Sequence, residues 1–322
     1  MIDAVAVGEL LIDFAMTGTG ADGYPVMEAH PGGAPANFLA AMTKCGCRTA
    51  FIGKVGTDAF GEKLIGTLRD AGIGTRGIVR DGNVFTTLAF VTFDEKGDRS
   101  FSFARKPGAD TQLRYEECDL SLIDEARVVH FGTLSLTNEP ARSATRALIG
   151  YAKKHGKLIS FDPNLRKPLW NSPEDAKREM LWGLGEADIV KISDEEVEFL
   201  WGLAPKEGAE KILREFGCRL VFVTCGAEGA VYANKMGTGR VASPKRLKVI
   251  DTTGAGDIFG GTAMAQILKE KTDPSEIGKK QLAFITGFAC TAASLSCTKK
   301  GGIPSIPEEI EVAGRVLKPC ID

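Results

Sequence analysis

Short apolar runs alternating with longer segments of helical pattern organise most of this chain. Residues 4–8 (Ala-Val-Ala-Val-Gly) and 10–14 (Leu-Leu-Ile-Asp-Phe) read as opening β structure, and 34–44 has helical composition with a stop at Gly46. The alternation continues with strands predicted at 49–52, 128–131, 158–162, 189–192 and 220–224. Helices are predicted at 60–71, 141–155, 175–184, 194–202 and 208–216, with Gly156 as the stop of the second. Repeated strand-helix units with buried apolar strands predict an α/β fold with a mostly parallel sheet covered on both faces, whose ligands bind at the carboxyl ends of the strands.

One section breaks the rhythm. Residues 85–93, a turn at 94–98 and residues 99–105 alternate with period two and predict a β-hairpin. Together with the Gly- and Pro-rich stretch 17–31 it could form a small sheet closing over a site; the competing expectation is a simple edge hairpin of the main sheet. There is no internal repeat or low-complexity linker. Residues 1–322 are therefore read as a single α/β domain, with a lid built from insertions at about 14–31 and 83–106.

Composition narrows the classes. The chain has 322 residues, 43% apolar and 25% charged with 38 glycines, which fits a globular protein with many strand-to-helix turns. A net charge of −2 leaves no basic footprint for nucleic acid. Eight cysteines without a C-x-x-C pair, and three scattered histidines, argue for reduced thiols and against a zinc enzyme. A basic region followed by an apolar core is missing at the N-terminus and no apolar run reaches about 18 residues, so a cytoplasmic location and no membrane partner are expected.

The chemistry concentrates in Asp251-Thr-Thr-Gly-Ala-Gly-Asp257, followed at once by Ile258-Phe-Gly-Gly261. Gly254 and Gly256 can let backbone N–H groups converge at the positive end of a helix, an anion cradle, while Asp257 in the first turn can draw a proton from a hydroxyl nucleophile. A plain helix N-cap competes, although Thr252 and Thr253 already supply cap chemistry. The pairing predicts a small-molecule kinase. Gly18-Thr-Gly-Ala-Asp-Gly23 satisfies G-x-G-x-x-G, but Pro25 and Pro31 prevent a helix from following, and no G-x-x-x-x-G-K-[ST] loop is present.

Polar groups at other strand ends add to the site. Pro31-Gly-Gly-Ala-Pro-Ala-Asn37 places Gly32 and Gly33 where backbone can approach a polyhydroxy ligand, with Asn37 able to donate and accept. Asp13 could accept two sugar hydroxyls, and Arg105 could reach a sugar oxygen from above. Asp162-Pro-Asn-Leu-Arg166 points polar groups, Asn164 and Arg166 among them, at the ligand edge. In Lys191-Ile-Ser-Asp-Glu-Glu196, Glu196 could hold Mg²⁺ through water or simply favour a helix start. Thr224-Cys-Gly-Ala-Glu-Gly229 suits nucleotide phosphates or ribose.

In order, these motifs resemble those of the ribokinase (PfkB) family of carbohydrate kinases, over nearly the whole chain. Residues 32–61 look like its first signature and 251–257 its second, while 8–14, 131–136 and 162–170 resemble the fructokinase branch. The resemblance implies a three-layer α/β/α ribokinase-like domain with a small β lid, and an ATP-dependent kinase phosphorylating O6 of D-fructose. The alternatives are a 2-keto-3-deoxygluconate kinase, a ribokinase, or a catalytically silent relative that binds sugar and ATP. It implies Asp257 as base, Gly254, Ala255 and Gly256 as anion hole, and Asp13, Gly32, Gly33, Asn37, Arg105, Asn164 and Arg166 around the sugar. ATP is implied along Lys191, Ser193, Thr224, Gly226, Ala227, Gly229 and Cys290. A K⁺-type cation is implied at Asp251, Thr253, Ser296, Lys299, Gly301 and Ser305, with Mg²⁺ near Glu196. Ser193 stands where many relatives carry Asn, and Cys290 where they often have Asn or His. The apolar face of the hairpin, with Phe85, Phe90, Phe101 and Phe103 among its candidates, could pair with a second lid as a homodimer interface or equally pack on its own domain.

Overall fold

A computed structural model describes residues 1–93, 99–245 and 247–316; the predicted hairpin turn at 94–98 lies outside them. Its strands are β1 Ile2–Val7, β2 Leu11–Thr19, β3 Pro25–Gly32, β4 Thr49–Gly56, β5 Gly74–Asp81, β6 Leu88–Phe93, β7 Arg99–Ala104, β8 Ala126–Gly132, β9 Leu158–Asp162, β10 Ile189–Ser193, β11 Leu220–Thr224, β12 Ala230–Asn234 and β13 Gly237–Val241. The helices are α1 Ala34–Lys44, α2 Ala59–Asp70, α3 Ser121–Glu125, α4 Ala141–Lys154, α5 Pro173–Glu186, α6 Asp194–Trp201, α7 Pro205–Phe216, α8 Ala255–Lys269, α9 Lys279–Ser296 and α10 Glu309–Ala313.

Nine strands form the central sheet in the order β13-β12-β11-β10-β9-β8-β1-β4-β5. The seven from β11 to β5 are parallel, and β12 and β13 add an antiparallel edge. Period two divides the buried side chains between two cores: Ala4 and Ala6 face the layer of α1, α8 and α9, while Val5 and Val7 face that of α4, α5 and α7. Chain order reverses at β1, where β4 lies on one side and β8 on the other, which opens a crevice at the carboxyl ends of the middle strands.

The remaining four strands form a second sheet, β3-β2-β6-β7. Residues 11–19 thus belong to this small sheet, and the predicted hairpin pairs with β2 instead of edging the central sheet. The G-x-G-x-x-G run spans the end of β2 and the turn to β3, where Gly20 N–H donates to the Tyr24 carbonyl and Gly23 has φ +85°. A tight turn, not a helix start, explains its glycines. No described helix is long and apolar enough to cross a membrane.

Candidate active site

Two helices, α1 and α8, build the centre of the crevice. They pack closely because Gly261 has no side chain: a Cβ there would lie 2.2 Å from the Phe38 carbonyl oxygen. That approach brings Asn37, in the first turn of α1, against Asp257, in the first turn of α8, and Asn37 Nδ2 donates to Asp257 Oδ2 at 2.9 Å. The amide oxygen Oδ1 of Asn37 is buried without a hydrogen-bond partner among the described residues. Asp257 is buried, and burial holds its carboxyl above the ordinary aspartate range against the Asn37 bond and the charges of Lys191 and Arg166.

The turn before α8 meets the requirements of an anion cradle. Gly254 occupies its N-cap with φ +74°, a conformation that favours glycine, and no side chain caps the helix. Ala255 N–H donates weakly to the Thr252 carbonyl at 3.3 Å. The Gly256 and Asp257 N–H groups have no protein partner among the described residues, leaving two first-turn donors and the helix dipole available to an anion. Asp251 fixes the turn: Oδ1 accepts from Thr253 N–H at 2.9 Å and Thr253 Oγ1 at 2.7 Å, and Oδ2 accepts from Gly301 N–H at 2.9 Å.

In front of this turn lies a cavity of about 400 Å³. Asp13, Gly33, Asn37, Asn164, Arg166, Asp251, Thr253, Gly254, Asp257 and Gly301 all line it. Gly32 stands behind Asp13, whose Oδ2 would lie 2.1 Å from a Cβ at that glycine. Burial raises the Asp13 carboxyl to about 6, with Arg166 and His30 pulling it down. The lining residues that escaped the sequence reading include Glu9 and His30. Glu9, just after β1, accepts from Ala34 N–H at 2.9 Å, and burial pushes its carboxyl to about 7; its signal was a charge inside the apolar run 4–14. His30 is the cross-strand neighbour of Asp13 and lies 3.4 Å from Glu28; nothing in its local pattern marked it.

Arg105 departs from expectation. Its guanidinium donates to Asp110, Thr137 Oγ1 and the Leu134 carbonyl, is almost fully buried, and does not line the cavity. An arginine already paired to a carboxylate anchors the end of β7 to the body of the domain. Glu196 likewise has both oxygens engaged by backbone, accepting from Leu165 N–H at 2.7 Å and Ser193 N–H at 2.8 Å, while Ser193 Oγ accepts from Glu196 N–H at 3.2 Å. This reciprocal cap starts α6.

Other predicted nucleotide residues lie along the neighbouring strand ends, outside the cavity lining. Lys191 Nζ is 3.0 Å from Asp162 Oδ2 and would lie 2.7 Å from a Cβ on Gly256, so its ammonium borders the cradle. Thr224 ends β11, and the exposed turn 226–228 follows, with Gly226 at φ +52° and Gly229 at φ +96°. Cys290 faces the core of α9, where burial pushes its thiol to about 12; its side chain is not offered to a ligand. Of the cation residues, Ser296 Oγ donates to the Ala293 carbonyl, Ser305 Oγ to the Gly302 carbonyl and Lys299 N–H to the Ser296 carbonyl.

A helix start open to an anion, a buried carboxylate in its first turn and a polar cavity beside it define a site for phosphoryl transfer to a hydroxyl. The chain matches the model of the pfkB family carbohydrate kinases over residues 1–309 and belongs to that family. It is 42% identical over 313 residues to Fructokinase-1 of Oryza sativa subsp. japonica, covering 96% of this chain and 95% of that one. Its fold is similar to that of the ATP-bound fructokinase of Xylella fastidiosa (TM-score 0.89, 30% identity, 98% of each chain covered). It is also similar to the fructokinase of Vibrio cholerae O395 with fructose, ADP and calcium ion bound (TM-score 0.86, 32% identity, 98% of this chain and 99% of that one).

Proposed function

We propose that this protein is a fructokinase that transfers the γ-phosphoryl group of ATP to O6 of D-fructose, giving fructose 6-phosphate and ADP. The observation that carries the reaction is Asp257, a buried carboxylate facing the cavity from the helix turn whose N–H groups are open to an anion. Similarity to fructokinases, one of them holding fructose and ADP, carries the choice of sugar.

In this reading Asp257 accepts the proton as O6 bonds to phosphorus and the bond to the ADP oxygen breaks. The Gly254-Ala255-Gly256 turn and Lys191 face the charge on the transferring group. Asp13, Gly32, Gly33, Asn37, Asn164 and Arg166 orient the sugar, and Thr224, Gly226, Ala227 and Gly229 lie along the nucleotide. Mg²⁺, when bound, neutralises the β- and γ-phosphate oxygens. Glu196, whose two oxygens each accept from a backbone N–H group, would hold that ion through water. A K⁺-type ion fits beside Asp251, Thr253, Ser296, Lys299, Gly301 and Ser305, where it would stiffen a turn that Asp251 already ties to Gly301.

The cavity disfavours an acid sugar. Glu9, Asp13, Glu28, Asp251 and Asp257 line it against Arg166 and Lys300, a balance that opposes the carboxylate of 2-keto-3-deoxygluconate. A coupled ADP-release assay across fructose, ribose, 2-keto-3-deoxygluconate and nucleosides tests the reading. Fructose is expected to give the largest kcat/KM, by at least about tenfold; a larger value for any other sugar overturns the assignment, and binding of sugar and ATP without ADP release would mark a silent relative.

A further inference from the structure

Asp162 is a buried carboxylate that the reaction above does not use. It ends β9, one strand from Lys191 on β10, and its Oδ2 lies 3.0 Å from Lys191 Nζ while Oδ1 accepts from Asn164 N–H at 3.2 Å. Both side chains of the pair are nearly buried, at 6% and 12% exposure, so the contact is little screened by water.

The ammonium has competing neighbours. On its far side is the first turn of α8, where Gly256 leaves room for Nζ and Asp257 attracts the same charge. Burial alone would lower Lys191, but Asp162, Glu196 and Asp257 together keep it above its ordinary value and therefore charged. Glu196 makes no ion pair with it among the described residues, and its oxygens already accept from two backbone N–H groups. His130, which lines the same small gap, is held neutral, its pKa lowered to about 3 by burial and by Lys191. The choice lies between Asp162 and Asp257. A lysine paired to Asp257 would neutralise the base and withdraw positive charge from the cradle.

We infer that Asp162 is a positioning residue that holds the Lys191 ammonium over Gly256 and away from Asp257, keeping one carboxylate free for the sugar proton and one cation free for the transferring phosphoryl group. The inference rests on the proposed role of Asp257 as base. It assigns a division of labour: two similar carboxylates one lysine apart, one structural and one reactive.

Asp162→Asn removes the charge and keeps the shape. The expected result is a kcat lowered about 10- to 100-fold, a KM for ATP raised several-fold and a KM for fructose within about twofold of the parent. The acid limb of the kcat–pH profile should move to lower pH. Lys191 and Asp162 from the sheet, Arg166 from the loop after β9, Asp13 from the small sheet and Asn37 from α1 all act on Asp257, and the substitution alters only the first two. Losing a negative neighbour and gaining the ammonium both favour the ionised base; a loss of packing alone would leave the limb in place. Because Asp162→Asn could leave Lys191 badly satisfied, Lys191→Met and the charge-balanced Asp162→Asn/Lys191→Met double variant complete the test. The double variant should be no slower than Lys191→Met. A kcat for Asp162→Asn within about twofold of the parent, an unmoved acid limb, or a double variant about tenfold slower than Lys191→Met overturns the inference. Those outcomes leave Asp257 as base intact if Asp257→Asn is inactive; turnover by Asp257→Asn would remove the base and the inference together.

Discussion

At the scale of single residues, the site depends on a carboxylate kept reactive by where it is buried. Asp257 is raised by desolvation yet held by one asparagine bond, so it has an oriented oxygen and a motive to take a proton. Asp257→Asn keeps the size and the Asn37 contact while removing the base. Turnover should fall by about 10³-fold or more, with ATP affinity by calorimetry nearly unchanged; retention of more than about a tenth of the parent rate contradicts the role. Glu9 gives a second prediction, about stability. Its carboxyl has an ordinary value of 4.5 and is raised to about 7 in the fold, so its contribution is fully present below pH 4.5 and is lost as pH rises through 7. Glu9→Gln should therefore stabilise the free protein by about 1–3 kcal/mol at pH 8 and change it little at pH 4.5, read as thermal midpoints at the two pH values. Asp257, Asn37 and Asp13 were legible from sequence because polar residues stood at strand and helix ends among apolar neighbours. Arg105 was misplaced for a physical reason: its carboxylate partner, Asp110, lies only five residues on, and sequence alone does not show that the pair closes on itself.

At the scale of elements, the start of α8 does the work. Gly254 holds φ +74°, and a Cβ there would stand 3.0 Å from Asn37 Nδ2 and 3.2 Å from the Gly302 Cα. Gly254→Ala should cost about 1–2 kcal/mol from the left-handed backbone and displace the asparagine that orients the base. The expected result is a folded protein by circular dichroism whose kcat is lowered about 10-fold or more; an unchanged kcat would mean that the turn tolerates a side chain and that Asn37 is not critical. The central strands and most helices were readable because their apolar runs are short and their stops carry glycine. The strands β12 and β13 were not, since Ala230–Asn234 and Gly237–Val241 are brief and the second carries two glycines. Nor was the membership of β2: Leu11 and Ile12 are as apolar as a core strand, and only pairing with β6 reveals the second sheet.

At the scale of the molecule, the small sheet stands over the sugar cavity with Asp13, Ala15, Thr17, Glu28, His30, Val91 and Phe103 on that side. Water at about 55 M competes with a sugar hydroxyl for the phosphoryl group, and we propose that the sheet acts as a lid that dries the cavity as the sugar binds. Fructose should slow backbone hydrogen exchange in residues 11–19 and 25–32 while leaving 220–224 unchanged; equal rates with and without sugar would argue against a closing lid. The predicted dimer face is divided in the fold: Phe85 is exposed, Phe90 stacks on Phe14 and Phe103 lines the cavity, while the side chain of Phe101 lies outside the described residues.

The contact between α1 and α8 also bears on how the protein is made. Asn37 and Asp257 are 220 positions apart, and the Phe38 carbonyl meets Gly261 only after most of the polypeptide has left the ribosome. Until then the face of α1 that carries Phe38 and Ala41 has no covering helix, so an unfinished nascent chain lacks the base and exposes apolar surface. Premature termination before residue 255 thus yields an aggregation-prone fragment, not a slow enzyme.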